Sequence, residues 1–535
     1  MSKHWVVIAF LIFFTAVGTS VLAGDIALTP MEQLGKSLYF DKISEPNSMS
    51  CADCHAPRVG FTGPIGGINK HGAVYRGAVP KRFGNRKPPA ASYATFSPIF
   101  DFDEGEGLFV GGNFWDGRAT GEKLGNPAAD QALGPFLNPV EQNNPSKMVV
   151  LQKVASSKYA GLWEDVWGEP ISVDTPEDVE ANYDRIGLAI AAFEASKEVN
   201  PFSSKFDVFW QNANDASMDV TDIDMSNWMG YAGLGLNSEE LRGLALFNDE
   251  SKGKCALCHV LDPGPGGVPP LFTDFTFDNL GVPKNPKNPF YNMDRVYLDD
   301  GTPVNPEGAD WVDPGLGGFL ASHSDPEWQA MAAENLGKHK VPTLRNVGKR
   351  PEGKDTTPRL ENVDMPPHEG FPKAYMHNGV LKSLKEVVHF YNTRDVEDWP
   401  DPEVPENVNT DELGDLGLTD SEENAIVAFM ETLSDGYADP WMPPAPVQGS
   451  SSLDIGGPNP FNPSTIIRFE LSKPSHVRLD VFNVRGQWVK TLVEGWRTVG
   501  EHRVVFDADN LSSGVYFLRL ATSDQTLTRK AILLK

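Results

Sequence analysis

A chain of 535 residues exceeds one ordinary domain, and three is the expectation from its length. The formal charge of −27, from 73 acidic against 46 basic residues, argues against a nucleic-acid partner. Acidity of this size serves solubility first and also suits a basic redox partner.

The chain opens on Lys3, an apolar run from Trp5 to Val17, and the small-residue site Val21-Leu22-Ala23 before Gly24. This is the pattern of a secretory signal over 1–23, too short for a membrane span, so the protein is expected to be exported. "TPMEQLGKSLYFD" then predicts a helix with Thr29 as N-cap, Pro30 at the first helical position and Glu32 closing a capping box. "NSEELRGLALFND" repeats the plan with Asn237 and Glu240.

Each of these helices runs into a Cys-x-x-Cys-His stretch, "CADCH" and "CALCH", which together hold all four cysteines. None is left for the disulfides that often staple exported proteins. Neither stretch has a partner Cys or His pair at zinc-finger spacing, and no βαβ pattern supports a thioredoxin-like disulfide. Two covalently bound haem c groups are therefore the expected cofactors. Cys51 and Cys54 would carry one, with His55 as proximal iron ligand. Cys255 and Cys258 would carry the other, with His259.

Long Gly- and Pro-rich loops interrupt both halves, among them "DFDEGEGLFVGG" and "HVLDPGPGGVPP", and such loops shape a site more often than a core. "QALGPFLNPVE" offers Gln131 and Glu141, and a carboxyl is suited to moving a proton during peroxide cleavage. The plainer reading is a helix start, with Asn138 as N-cap, Pro139 first in the helix and Glu141 in a capping box. On residue physics alone that reading ranks first.

Each half closes on an amphipathic helix. Ile186, Ala189, Ile190 and Phe193 share one face, as do Ile426, Phe429, Met430 and Leu433. The twice-repeated order gives a mainly α protein with two related helical domains, 24–225 and 226–438. A Pro-, Gly- and Ser-rich linker spans 439–451. "STIIRFELS", "HVRLDVFNV", "EHRVVFDA" and "GVYFLRLATS" then alternate apolar and polar residues, predicting a small all-β, immunoglobulin-like sandwich over 452–535. With no cysteine and no catalytic cluster, that module suits binding, anchoring or sorting.

The order "CADCH", "FWDGRA", "QALGPFLNPVE", "CALCH", "VPTLRNV" and "AYMHNGVLKSLKEVVHFYN" resembles the bacterial dihaem cytochrome c peroxidase and MauG group over residues 29–436. The resemblance implies two cytochrome c-like domains, a peroxidatic N-terminal haem and an electron-receiving C-terminal haem. It makes Glu141 the acid–base residue, reversing the ranking above, with Gln131 as its neighbour. Trp115 becomes the electron relay between the haems, a role compatible with a buried core tryptophan. Arg118 is left between a haem propionate and a structural ion pair. His71 matches a histidine that blocks the resting peroxidatic iron, although a lone His in a Gly-rich loop is more often simply solvated.

The sixth ligand of the second haem falls at Tyr391, as in MauG, with Met376 as the alternative and a core tyrosine without iron contact as the plain one. Two departures from the group stand out. Six extra residues precede Gln131, and "GFPKAYMHNG" lacks the threonine and proline through which the group holds an inter-domain calcium, so calcium is left without support. The C-terminal "NPFNPSTIIRFELS…SGVYFLRL" resembles the type A sorting domain of type IX secretion substrates.

Together these imply an exported peroxidase reducing hydrogen peroxide with electrons from a cytochrome c or small copper protein. It would meet the type IX secretion machinery and pass through the periplasm to the cell surface or medium. A MauG-like oxidase acting on a protein and a non-catalytic electron-transfer cytochrome are the competing functions. A homodimer is neither indicated nor excluded by the sequence.

Overall fold

The computed structural model describes residues 28–293, 297, 301, 303–351, 371–437 and 452–535, the last apart from 458, 472–474, 498, 499, 523 and 524. The expected signal segment and linker lie outside the described residues. The chain forms two compact units, Ala27–Asp439 and a second that contains Pro440–Lys535. Among the described residues, no helix is long and apolar enough to cross a membrane.

In the larger unit the capping signals act as read. Thr29 Oγ1 accepts from Glu32 N at 3.3 Å and Glu32 Oε2 accepts from Thr29 N at 2.6 Å, starting the helix Pro30–Phe40. Asn237 and Glu240 close the same box at 3.0 and 2.7 Å before Ser238–Asn248. Each opening helix crosses the closing helix of its own half, Pro176–Ala195 or Asp420–Glu431. A Cβ on Gly35 would lie 1.8 Å from the Ala189 carbonyl oxygen, and one on Gly243 would lie 1.9 Å from that of Ala425. The same glycine permits the same close crossing in both halves.

Two cores follow from these crossings. The first gathers Leu34, Leu38, Trp163, Ile186, Ile190 and Phe193, and the second gathers Leu244, Phe247, Phe272, Ile426, Phe429 and Leu433. Phe206, Phe209, Val220 and Ile223 pack into the second core although they precede the expected boundary at 225. A smaller cluster joins Phe100 and Phe109 of the first half to Phe277, Leu316 and Leu320 of the second.

The smaller unit is all β and antiparallel. One sheet has the order Thr526–Leu533, Gly514–Ala521, Ser475–Asn483 and Trp488–Arg497, and the other is Ser452–Ile455, Ser464–Leu471 and Gly500–Asp507. Val477, Leu479 and Val481 are buried together with Leu518 and Leu520, the alternation a half-buried strand requires. The strands at 452–455, 488–497 and 526–533 were not among the four read from alternation, because their apolar positions are fewer or interrupted.

Candidate functional site

Both Cys-x-x-Cys-His stretches make the same local structure. Cys51–Asp53 and Cys255–Leu257 form single 3₁₀ turns, and the backbone N–H of each following histidine donates to the first cysteine's carbonyl at 2.9 Å. The histidine rings are then fixed from outside the turn. His55 Nδ1 lies 3.2 Å from the Phe61 carbonyl and His259 Nδ1 lies 2.8 Å from that of Phe272. A carbonyl only accepts, so Nδ1 carries the proton and Nε2 is left free to bind a metal. Phe61 and Phe272 hold left-handed backbone, φ 55° and 54°, which turns their carbonyls toward the rings. Burial lowers the His55 pKa to about 4 and depresses that of His259 as well, so both imidazoles are neutral.

All four cysteines are free and line cavities. Burial pushes the thiols of Cys51 and Cys255 up to about 12 and raises Cys54 and Cys258 in the same direction. Such thiols are protonated, unlike the thiolates that bind zinc. Two thiols and one imidazole at the wall of a largely apolar cavity fit a thioether-linked haem.

The first cavity, about 220 Å³, is lined by Cys51, Cys54 and His55 together with Trp115, Gln131 and Glu141. Gln131 projects from the helix Pro127–Leu137. Glu141 follows it in a turn, and here the capping-box reading fails. Asn138 ends the helix as its C-cap instead of starting another, and its Nδ2 donates to Glu141 Oε1 at 3.0 Å. The helix runs through Pro135 to Leu137, and Pro139 sits in the turn that follows, where it cannot donate to continue the helix. Burial raises the Glu141 pKa, with Arg118 and the Asn138 hydrogen bond opposing. Arg118 lines this cavity and pairs with Asp116 at 2.7 Å, so the structural ion pair is present.

The second cavity, about 170 Å³, is lined by Cys255, Cys258 and His259, and by both ligand candidates, Tyr391 and Met376. Tyr391 stands on the helix Leu384–Thr393, and among the described residues its hydroxyl has no hydrogen-bond partner. His339 and His377 stack at 3.6 Å between centroids on the same wall, with His339 Nε2 3.3 Å from Asp313 Oδ2 and His377 Nε2 3.5 Å from Glu403 Oε2.

Trp115 lines both cavities. It is 8% exposed, and its indole N–H donates to the Lys87 carbonyl at 2.9 Å. His71 lines neither cavity. It closes the short helix Gly66–Lys70, and its carbonyl accepts from Lys382 Nζ at 2.8 Å, so the structure does not bring it to His55.

Some cavity residues escaped the sequence reading. Glu194, buried on the first cavity's wall, stood in plain view as a charge on the apolar face of "AIAAFEAS". Lys340 and the pair of His339 and His377 carried no local signal, because only the meeting of distant loops brings them together.

The family of di-haem cytochrome c peroxidases matches residues 29–215, and the secretion system C-terminal sorting domain matches residues 458–534. Methylamine utilization protein MauG of Paracoccus denitrificans is 30% identical over 447 residues, covering 80% of this chain and 94% of that protein. Cytochrome-c peroxidase IdrP1 of Denitromonas iodatirespirans is 25% identical over 405 residues, covering 75% of this chain and 80% of that one. Among solved structures, the diheme peroxidase BthA from Burkholderia thailandensis superposes with a TM-score of 0.55 at 27% identity, covering 78% of this chain and 89% of its own. The chain therefore belongs to the dihaem cytochrome c peroxidase and MauG family of oxidoreductases, and it carries a secretion sorting domain at its C-terminus.

Proposed function

We propose that the protein is an exported dihaem peroxidase reducing hydrogen peroxide to water with two protons and two electrons, the electrons coming from a cytochrome c or small copper protein. The observation that carries this reading is the part-buried carboxyl of Glu141 in the cavity that Cys51, Cys54 and His55 line. Haem c on the two cysteine pairs, with iron on His55 and His259 Nε2, would supply peroxide cleavage in the first cavity and electron uptake in the second.

Glu141 takes a proton from one peroxide oxygen and returns it to the leaving oxygen. Desolvation raises its pKa above the ordinary glutamate value, which favours the protonated form that returns the proton. Asn138 Nδ2 occupies Oε1 and leaves Oε2 for the proton. The Gln131 amide, a donor and an acceptor on the same cavity wall, orients the peroxide. Trp115 is the relay, since its ring is shared by both cavities.

Glu141→Gln keeps the shape and removes the proton carrier. Peroxide consumption is expected to fall by about 10²- to 10⁴-fold with haem content unchanged. A rate equal to the parent's would overturn the assignment. So would two low-spin, six-coordinate haems in both redox states, the signature of a pure electron carrier.

A second reading, an oxidase modifying a protein substrate as the name MauG suggests for a relative, rests on Tyr391. Tyr391 is partly buried on the wall of the second cavity, and its hydroxyl makes no hydrogen bond among the described residues. As an iron ligand, its hard oxygen favours oxidised iron. Tyr391→Met is then expected to raise the second haem's midpoint potential, read by spectroelectrochemical titration. An unchanged midpoint would return Tyr391 to the core.

We further place the two haem domains within 24–438, with Phe206 to Ile223 packing in the second, and the immunoglobulin-like sandwich at 452–535. The segment 1–23 would direct export and the sandwich would direct passage to the cell surface or medium.

A further inference from the structure

The junction between the two haem halves contains a buried cation of the chain's own. Lys373 is 5% exposed, and its Nζ donates to the carbonyls of Val59, Asn346 and Lys349 at 3.2, 3.0 and 3.0 Å. Val59 belongs to the first half, on the loop between His55 and the Phe61 carbonyl that orients it. Lys373 belongs to the second half, just before Met376 and His377 on the wall of the second cavity. One side chain thus ties the histidine loop of one cavity to the wall of the other.

Three accepting carbonyls call for three N–H donors, which an ammonium has and a neutral amine lacks. Burial and the neighbouring Lys87, Arg350 and Lys349 push the Lys373 pKa well below the usual lysine range. No carboxylate among the described residues pairs with it. The three carbonyl oxygens that Nζ donates to are the groups that favour the protonated form against burial and like charge.

The inter-domain calcium that family likeness implies does not fit the residues present. Pro372 turns its carbonyl to the side-chain amide of Asn69 at 3.1 Å, and the next side chain enters the junction as a donor. A divalent ion at the carbonyls of Val59, Asn346 and Lys349 would meet the Lys373 ammonium and compete with it for those oxygens. We propose that Lys373 is the resident cation of this junction, a tethered ammonium that takes the place of a bound divalent ion and holds the first haem loop against the second cavity.

The test uses the full-length holoprotein, dialysed against a chelator and followed by metal analysis, thermal unfolding and redox titration of both haems. The parent is expected to hold no divalent ion and to keep its Tm and both midpoints after chelation. Lys373→Ala is expected to lose at least about 5 °C in Tm, and millimolar methylammonium, which refills the vacated carbonyl cradle, should restore part of the loss. One equivalent of retained calcium in the parent, or a fall in its Tm on chelation, would overturn the proposal. A Lys373→Ala protein with parental Tm and midpoints would overturn it equally. If that variant does not fold, the chelation of the parent still decides.

Discussion

Glu194 and Met430 occupy matching positions in the two closing helices, each directly after a buried phenylalanine, and each faces a cysteine-lined cavity. The second half keeps an apolar residue there, while the first buries a carboxyl. Glu194 is 4% exposed, and burial raises its pKa to about 8. The folded state therefore holds a proton that the unfolded chain releases near pH 4.5. Stability from this group is complete below that pH and falls as pH rises toward 8, by an amount on the order of a few kcal/mol. Glu194→Gln removes the titration. Its Tm should exceed the parent's at pH 8 and match it near pH 4.5, and a constant difference across that range would refute the assignment. Glu141 shows the same physics with a different partner set, since Arg118 and Asn138 oppose the effect of burial. At this scale the sequence supplied the candidates, and burial decided which of them titrate unusually.

The helices that open and close each half were legible because their caps are local chemistry. Thr29 with Glu32 and Asn237 with Glu240 need only their own neighbours. Asn138 with Glu141 had the same spelling and failed, because Asn138 already ends the preceding helix as its C-cap and the chain turns there. A pattern read from four residues cannot register what the flanking element forbids. The crossings depend on Gly35 and Gly243, whose absent Cβ atoms let the backbones meet. Gly243→Ala is expected to cost about 1–3 kcal/mol by overpacking, read as a lower Tm. An unchanged Tm would mean that the two helices separate freely.

At the scale of the whole molecule, the two Cys-x-x-Cys-His stretches and the strands of 452–535 fall into different compact units. A chain ending at residue 437 should keep two haems and the parental rate of peroxide consumption while losing delivery to the cell surface. Loss of haem or activity would show that the C-terminal unit is needed for the enzyme itself.

By itself the sequence pointed to the residues that would hold haem, to where the opening helices begin, and to a β module after them. These depend on residue type, spacing and local hydrogen bonds, all of which are written along the chain. Only the tertiary structure decided that Trp115 belongs to both cavities, that His71 belongs to neither, and that Lys373 holds the junction between the halves. Those facts arise where segments hundreds of residues apart bury one another, and burial sets both which polar groups pair and which protons stay.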